Sequence, residues 1–176
     1  MRSVIINALD TLALLVLCLI LAIAFYYQLY FQELPCALCV LQRMGLSLIA
    51  IGLILNLKYG YKPAHYYIVI ISATINSFMA LTQVLLHIVP GSGNYGDAVF
   101  GIHMYTWNFV ISMGFVLYAS IAGLLSSNNR KLKHQQYVKY IIILFLVILS
   151  ANILTVFAVC GMYMCPSDPQ HYWLFN

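Results

Sequence analysis

The sequence predicts an all-α integral membrane bundle of about five transmembrane helices, on three observations. Of its 176 residues, 64% are hydrophobic and 7% charged, against roughly 45–50% and about 25% in an ordinary soluble domain. A water-soluble fold of this size has nowhere to hide so much apolar surface, so hydrocarbon is the solvent for most of the chain. Apolar runs near 8–30, 38–57, 66–88, 105–125 and 138–159 each reach the ~20 residues a spanning helix needs and exceed the ~9–11 of a barrel strand. Finally, Lys and Arg fall on one side when these five runs are threaded through a bilayer. Together these exclude a soluble enzyme domain, a disordered regulator and a nucleic-acid-binding module.

Helix 1 follows Arg2; its Ala22-Ile23-Ala24 has the small-x-small form of a signal-peptide cleavage site, but Phe25-Tyr26-Tyr27 continues the apolar run, which reads as a retained span. The connectors Gln32–Pro35, Lys58–Pro63, Pro90–Gly101 and Ser126–Tyr137 are too short for a second domain, so residues 1–176 form one membrane domain with a tail at 160–176. Arg2, Lys58, Lys62, Arg130, Lys131, Lys133 and Lys139 share one side, which the positive-inside rule makes cytoplasmic. The N-terminus is then cytoplasmic and the tail outside, with Glu33, Asp97 and Asp168. Arg43 is the one cation that breaks the rule.

Cys18 sits in the middle of helix 1 and reads as a small packing residue. Cys36, Cys39, Cys160 and Cys165 all fall on the outside face, although they come from distant parts of the chain. Cys36-Ala37-Leu38-Cys39 follows Pro35 at the entry to helix 2, where unpaired N–H groups and partial positive charge stabilise a thiolate. A two-residue spacing lets a disulfide close and reopen; a static disulfide, half a zinc site or two packing cysteines are the alternatives. No His follows Cys39, which excludes covalent haem attachment. The five histidines lie near membrane ends or in loops, against a bis-histidine haem. Of these, His87 and His103 close the ends of the helix 3–4 loop, where either is a candidate proton relay.

Arg43 lies four residues after Cys39, on the same helix face and about one turn deeper. A guanidinium in an apolar span is costly and marks a functional candidate; the alternative is that it snorkels to the interface. It is placed to favour a Cys39 thiolate and to hold a developing anion. A quinone suits such a site, being lipid-soluble, able to accept hydrogen bonds and negative on reduction.

The run Leu34-Pro35-Cys36-Ala37-Leu38-Cys39-Val40-Leu41-Gln42-Arg43 resembles the redox motif of the disulfide bond formation protein B (DsbB) family, membrane oxidases of bacterial envelopes. The resemblance implies a protein-dithiol:quinone oxidoreductase in the bacterial inner membrane with its redox sites facing the periplasm. It also implies that Cys36 and Cys39 form the quinone-facing pair, with Cys39 contacting ubiquinone or menaquinone as a thiolate and Arg43, with Gln42, helping to bind it. Residues 8–125 share the family's topology, whereas only the stretch around 34–43 carries its motif. The family's second cysteine pair sits between helices 3 and 4, but here Pro90–Gly101 has none. A fifth helix ends instead in Cys160-Gly161-Met162-Tyr163-Met164-Cys165, which is expected to replace it.

The expected route runs from a periplasmic thioredoxin-like (DsbA-like) protein to Cys160/Cys165, on to Cys36/Cys39, and from Cys39 to quinone beside Arg43. Cys165, in a Gly/Pro-flanked polar tail, is expected to trap the soluble partner. No metal site is expected, since the envelope is oxidising and Arg43 repels cations. The alternatives are a non-catalytic membrane scaffold whose cysteines form fixed bonds, and a vitamin K epoxide reductase-like enzyme, whose late-helix Cys-x-x-Cys is missing here. Asn76 and Asn152 are expected to make interhelical hydrogen bonds.

Overall fold

Each apolar run is one helix in the computed structural model: α1 (Arg2–Tyr30), α2 (Ala37–Tyr59), α3 (Pro63–His87), α4 (Met104–Leu125) and α5 (Gln136–Cys160). All five are long and apolar enough to cross a membrane. The structure describes residues 2–89, 96, 98–126, 136–163, 165–166, 169 and 171–175, without the side chains of 2–4 and 175. Arg130, Lys131, Lys133, His134, Asp97 and Asp168 therefore lie outside the described residues, as does the side chain of Arg2.

The helices run about where hydropathy puts them; α1 starts earlier, at Arg2, because a helix keeps its backbone bonded past the apolar boundary. In space they follow one another as α4, α3, α2, α1 and α5, with α5 packed on α1 and more lightly on α2. The chain ends of α1, α3 and α5 meet the starts of α2 and α4, which gathers Cys36, His87, Met104 and Cys160 at one end of the bundle.

Leu14, Leu17, Ile49, Leu53, Val69 and Phe145 lie in the shared core. In lipid such packing depends on close approach and interhelical hydrogen bonds rather than on water exclusion. Gly45 lets α2 lie close against α3: a Cβ there would stand 2.6 Å from the carboxamide carbon of Asn76.

At the bundle end away from the cysteines, Asp10 is fully buried. It accepts from the Tyr66 hydroxyl at 2.9 Å and from the Tyr118 hydroxyl, which ties α1 to α3 and α4. Beside it His65 Nδ1 donates to Asn56 Oδ1 at 3.1 Å. Asn7 joins α1 to α5 through the Tyr137 hydroxyl at 3.3 Å.

The connector expected between helices 3 and 4 is not plain loop. It contains a small antiparallel hairpin, β1 (Ala98–Val99) and β2 (Ile102–His103). The turn residues Phe100 and Gly101 have φ of 54° and 78°, the left-handed pair that a two-residue type I′ hairpin turn uses. Trp107 Nε1 donates to Val99 O at 3.0 Å and fixes the hairpin over the start of α4.

Candidate functional site

Helix α1 ends where Gln32 turns left-handed, with φ 57°. The chain reverses there, and Leu34 and Pro35 are buried on the way to α2. Cys36 is the N-cap of α2, and its sulfur accepts from Cys39 N–H at 3.1 Å. Pro35 therefore precedes the cap rather than filling the first turn. Cys36 and Cys39 form a disulfide, with Cα atoms 5.0 Å apart.

Gln83, one turn before the end of α3, reaches the same sulfurs: its Nε2 lies 3.6 Å from both Cys36 Sγ and Cys39 Sγ. Gln42 Nε2 donates to Gln83 Oε1 at 2.6 Å. Gln42 Oε1 in turn accepts from Asn108 Nδ2 at 2.8 Å. Asn76 Nδ2 donates to both Asn108 Oδ1 (3.0 Å) and Ser112 Oγ (2.8 Å), an interhelical contact of the kind expected of it.

Arg43 does not snorkel to the surface. Its Nη1 donates to Gln28 Oε1 (2.7 Å) and Asn152 Oδ1 (3.2 Å), and its Nη2 to Ala24 O (3.1 Å). The guanidinium thus draws α1 and α5 onto α2, and Asn152 is the fifth helix's contribution. Arg43 and Cys39 also share the wall of a cavity of about 390 Å³. Its remaining wall is largely apolar, with Ile20, Ile23, Leu46 and Ile111 among its side chains, and Val99 and Phe100 of the hairpin line it as well. Gln42, Gln83 and Asn108 supply amide edges to the same wall. The volume and lining are those of a small-molecule site.

His87 and His103 are not among the cavity-lining residues. Both rings stack on that of Tyr105, each with centroids 5.3 Å from it. His87 Nδ1 donates to Gln83 O at 2.8 Å, which steadies the last turn of α3.

Cys160 and Cys165 form the second disulfide, with Cα atoms 4.7 Å apart. Cys160 is buried and packs with Leu34 and Val159, so this pair abuts the segment that leads into Cys36. Cys165 is half-buried. The tail is packed rather than loose: Gly161, at φ 61°, ends α5 by donating to Phe157 O at 2.8 Å. The Trp173 ring lies over Gly161, where a Cβ would meet it at 2.7 Å. Cys18 is buried and unpaired, as a packing residue should be. Among the described residues no group of His, Cys, Asp and Glu is arranged to hold a metal.

Gln83, Asn108 and Gln28 were not singled out by the sequence reading. A signal existed for Gln83, which lies seven residues, two helical turns, after Asn76 and shares its face.

A family model described as Disulfide bond formation protein DsbB matches residues 7–95. That match takes in α1–α3 with Cys36, Cys39, Arg43 and Gln83, and stops short of α4, α5 and the second disulfide. No curated protein and no solved structure matches the chain.

Proposed function

The chain belongs to the DsbB family, the membrane oxidoreductases of disulfide formation, and from that premise we propose that it is a quinone-dependent thiol oxidase with an unusual second dithiol. It reoxidises a periplasmic thioredoxin-like, DsbA-like protein from the bacterial inner membrane. The observation that carries this reading is the cavity that puts Cys39 and Arg43 into one largely apolar wall beside a disulfide. A flat lipid-soluble ring with two carbonyl oxygens suits those walls, with Arg43 and the Gln42 edge as the polar groups that hold it. Bound ubiquinone or menaquinone supplies the oxidising power, taking up two electrons and two protons per disulfide formed.

The chain's own residues carry the electrons there by exchange. A partner thiolate attacks Cys165, the more exposed sulfur of its pair, and the Cys160–Cys165 bond breaks with Cys160 leaving as thiolate. The partner's second thiol resolves the mixed disulfide, so the partner leaves oxidised and the tail holds a dithiol. Cys160, packed against Leu34, then attacks Cys36; the Cys36–Cys39 bond breaks and Cys39 leaves as thiolate at the cavity wall. Cys165 resolves Cys160–Cys36, the tail disulfide re-forms, and Cys36/Cys39 hold the two electrons. Lys58, Lys62 and Lys139 lie at the ends of the helices away from the cysteines, which supports a cytoplasmic N-terminus and a periplasmic tail.

The test is stoichiometric. Fully reduced protein mixed with ubiquinone or menaquinone should consume one quinone per disulfide re-formed, and a fixed-disulfide scaffold should consume none. A tag on Asn176 should be reachable only from the periplasm.

A further inference from the structure

Four buried carboxamides from three helices form a chain with a single sense. Asn76 donates to Asn108, Asn108 to Gln42, Gln42 to Gln83, and Gln83 to the two sulfurs. Gln83 is 1% exposed and Asn76 0%, and Gln42 and Asn108 are buried too, so bulk water is largely kept from these groups. The direction is dictated by its end. A disulfide sulfur only accepts, so Gln83 must turn its NH₂ toward Cys36 and Cys39 and its carbonyl toward Gln42, which sets the rest in turn. Aligned amides polarise one another, and the cumulative N–H end lies on the redox pair.

We propose that Gln83 is a catalytic hydrogen-bond donor to whichever sulfur of Cys36–Cys39 carries negative charge once their bond opens, and that Gln42, Asn108 and Asn76 are positioning residues that hold its N–H there. The inference rests on the reading that this pair undergoes exchange. When an incoming thiolate bonds to Cys36 Sγ, the Cys36–Cys39 bond breaks and its electron pair leaves on Cys39 Sγ. Gln83 transfers no proton; its N–H···S contact, weak to a neutral disulfide, becomes charge-assisted to the thiolate. A donor whose bond strengthens as charge develops accelerates the step and stabilises the reduced pair. The charged and titratable groups near this pair are Arg43 of α2 and Glu33 before it, Tyr27 of α1 and Tyr105 of α4 on the cavity wall, and His87, bonded to the Gln83 backbone. A carboxamide has no titration of its own, so its effect follows the ionisation of the sulfur it faces: full where that sulfur is a thiolate, and lost as pH falls and the thiol protonates.

The experiment uses the full chain with Cys160 and Cys165 both replaced by Ser, so that one pair remains to be read. Equilibrated against reduced and oxidised glutathione, Gln83→Leu should move the pair about tenfold toward the disulfide and slow iodoacetamide alkylation of the reduced pair about tenfold. Gln83→Glu, which keeps the shape but offers a carboxylate in place of the amide donor, should do at least as much and serves if the Leu variant fails to fold. Gln42→Leu, which frees Gln83 to rotate, should give about threefold. Tyr118→Phe, which removes a donor to Asp10 at the other end of the bundle, controls for lost stability and should leave both readouts unchanged. Equilibrium and alkylation within twofold of the parent in both Gln83 variants would overturn the proposal. Neither readout involves quinone or the soluble partner: a glutathione shift without quinone reduction refutes the oxidase reading alone, and quinone reduction without the shift refutes the role of Gln83 alone.

Discussion

Cys36–Cys39 opens helix α2, whereas Cys160–Cys165 closes helix α5, and the two disulfides meet opposite ends of the backbone's polarity. A helix start presents N–H groups and partial positive charge; a helix end presents carbonyls and partial negative charge. The first pair receives the Cys39 N–H and the Gln83 amide, which stabilise thiolate. The second follows the last turn of α5, an environment that disfavours thiolate. Stabilising its thiolate makes a pair more oxidising. On the proposed route, the contrast would give electrons a downhill direction, from the tail pair to the pair beside the cavity.

The largest effect expected from breaking this asymmetry is functional. Cys39→Ser should abolish quinone reduction by every thiol donor, by about a thousandfold or more, since no second route leads to the cavity. Cys165→Ser should stop oxidation of the soluble partner while a small dithiol still drives quinone reduction, followed by quinone absorbance. Next comes the asymmetry itself. In variants that each keep one pair, Cys36/Cys39 should be about tenfold more readily reduced by glutathione than Cys160/Cys165; the reverse order would remove the proposed direction.

Arg43→Leu should raise the quinone KM about tenfold while small oxidants still form both disulfides, and Asn152→Leu, which removes one of its holders, about threefold. The smallest effect is local to the tail. Gly161→Ala strains a left-handed residue beneath Trp173 and should cost about 1 kcal/mol or more, seen as a few-fold faster reduction of Cys160–Cys165 with Cys36–Cys39 unchanged.

Much of this architecture is legible in the sequence because lipid imposes length and hydropathy on each span, so the five helices and the shared end of four cysteines follow from counting. The Cys36–Cys39–Arg43 spacing is local, and one helix carries it. Gln83 is not local in that sense: it meets Gln42 across 41 positions, and only the packing of α3 on α2 brings them together. The hairpin escaped because strands of two residues are shorter than any alternation, although Phe100-Gly101 is its turn. Arg43 is legible as a cation inside an apolar span but not in its partners, since Gln28 and Asn152 reach it from α1 and α5. Asp10 is legible too, since a carboxylate inside an apolar span is a marker in its own right.

That carboxylate bears on the order in which the protein is made. Helix α1 leaves the ribosome before α3 and α4, carrying Asp10 toward the bilayer with neither of its hydroxyl partners yet synthesised. Tyr66 follows 56 residues later and Tyr118 after 108, each on a helix that must itself be inserted. An ionisable group without partners is poorly tolerated in hydrocarbon, so α1 settles fully only when α3 and then α4 arrive beside it. A chain halted after α3 should therefore hold α1 loosely and be degraded faster than one that includes α4, and Asp10→Leu should remove that difference.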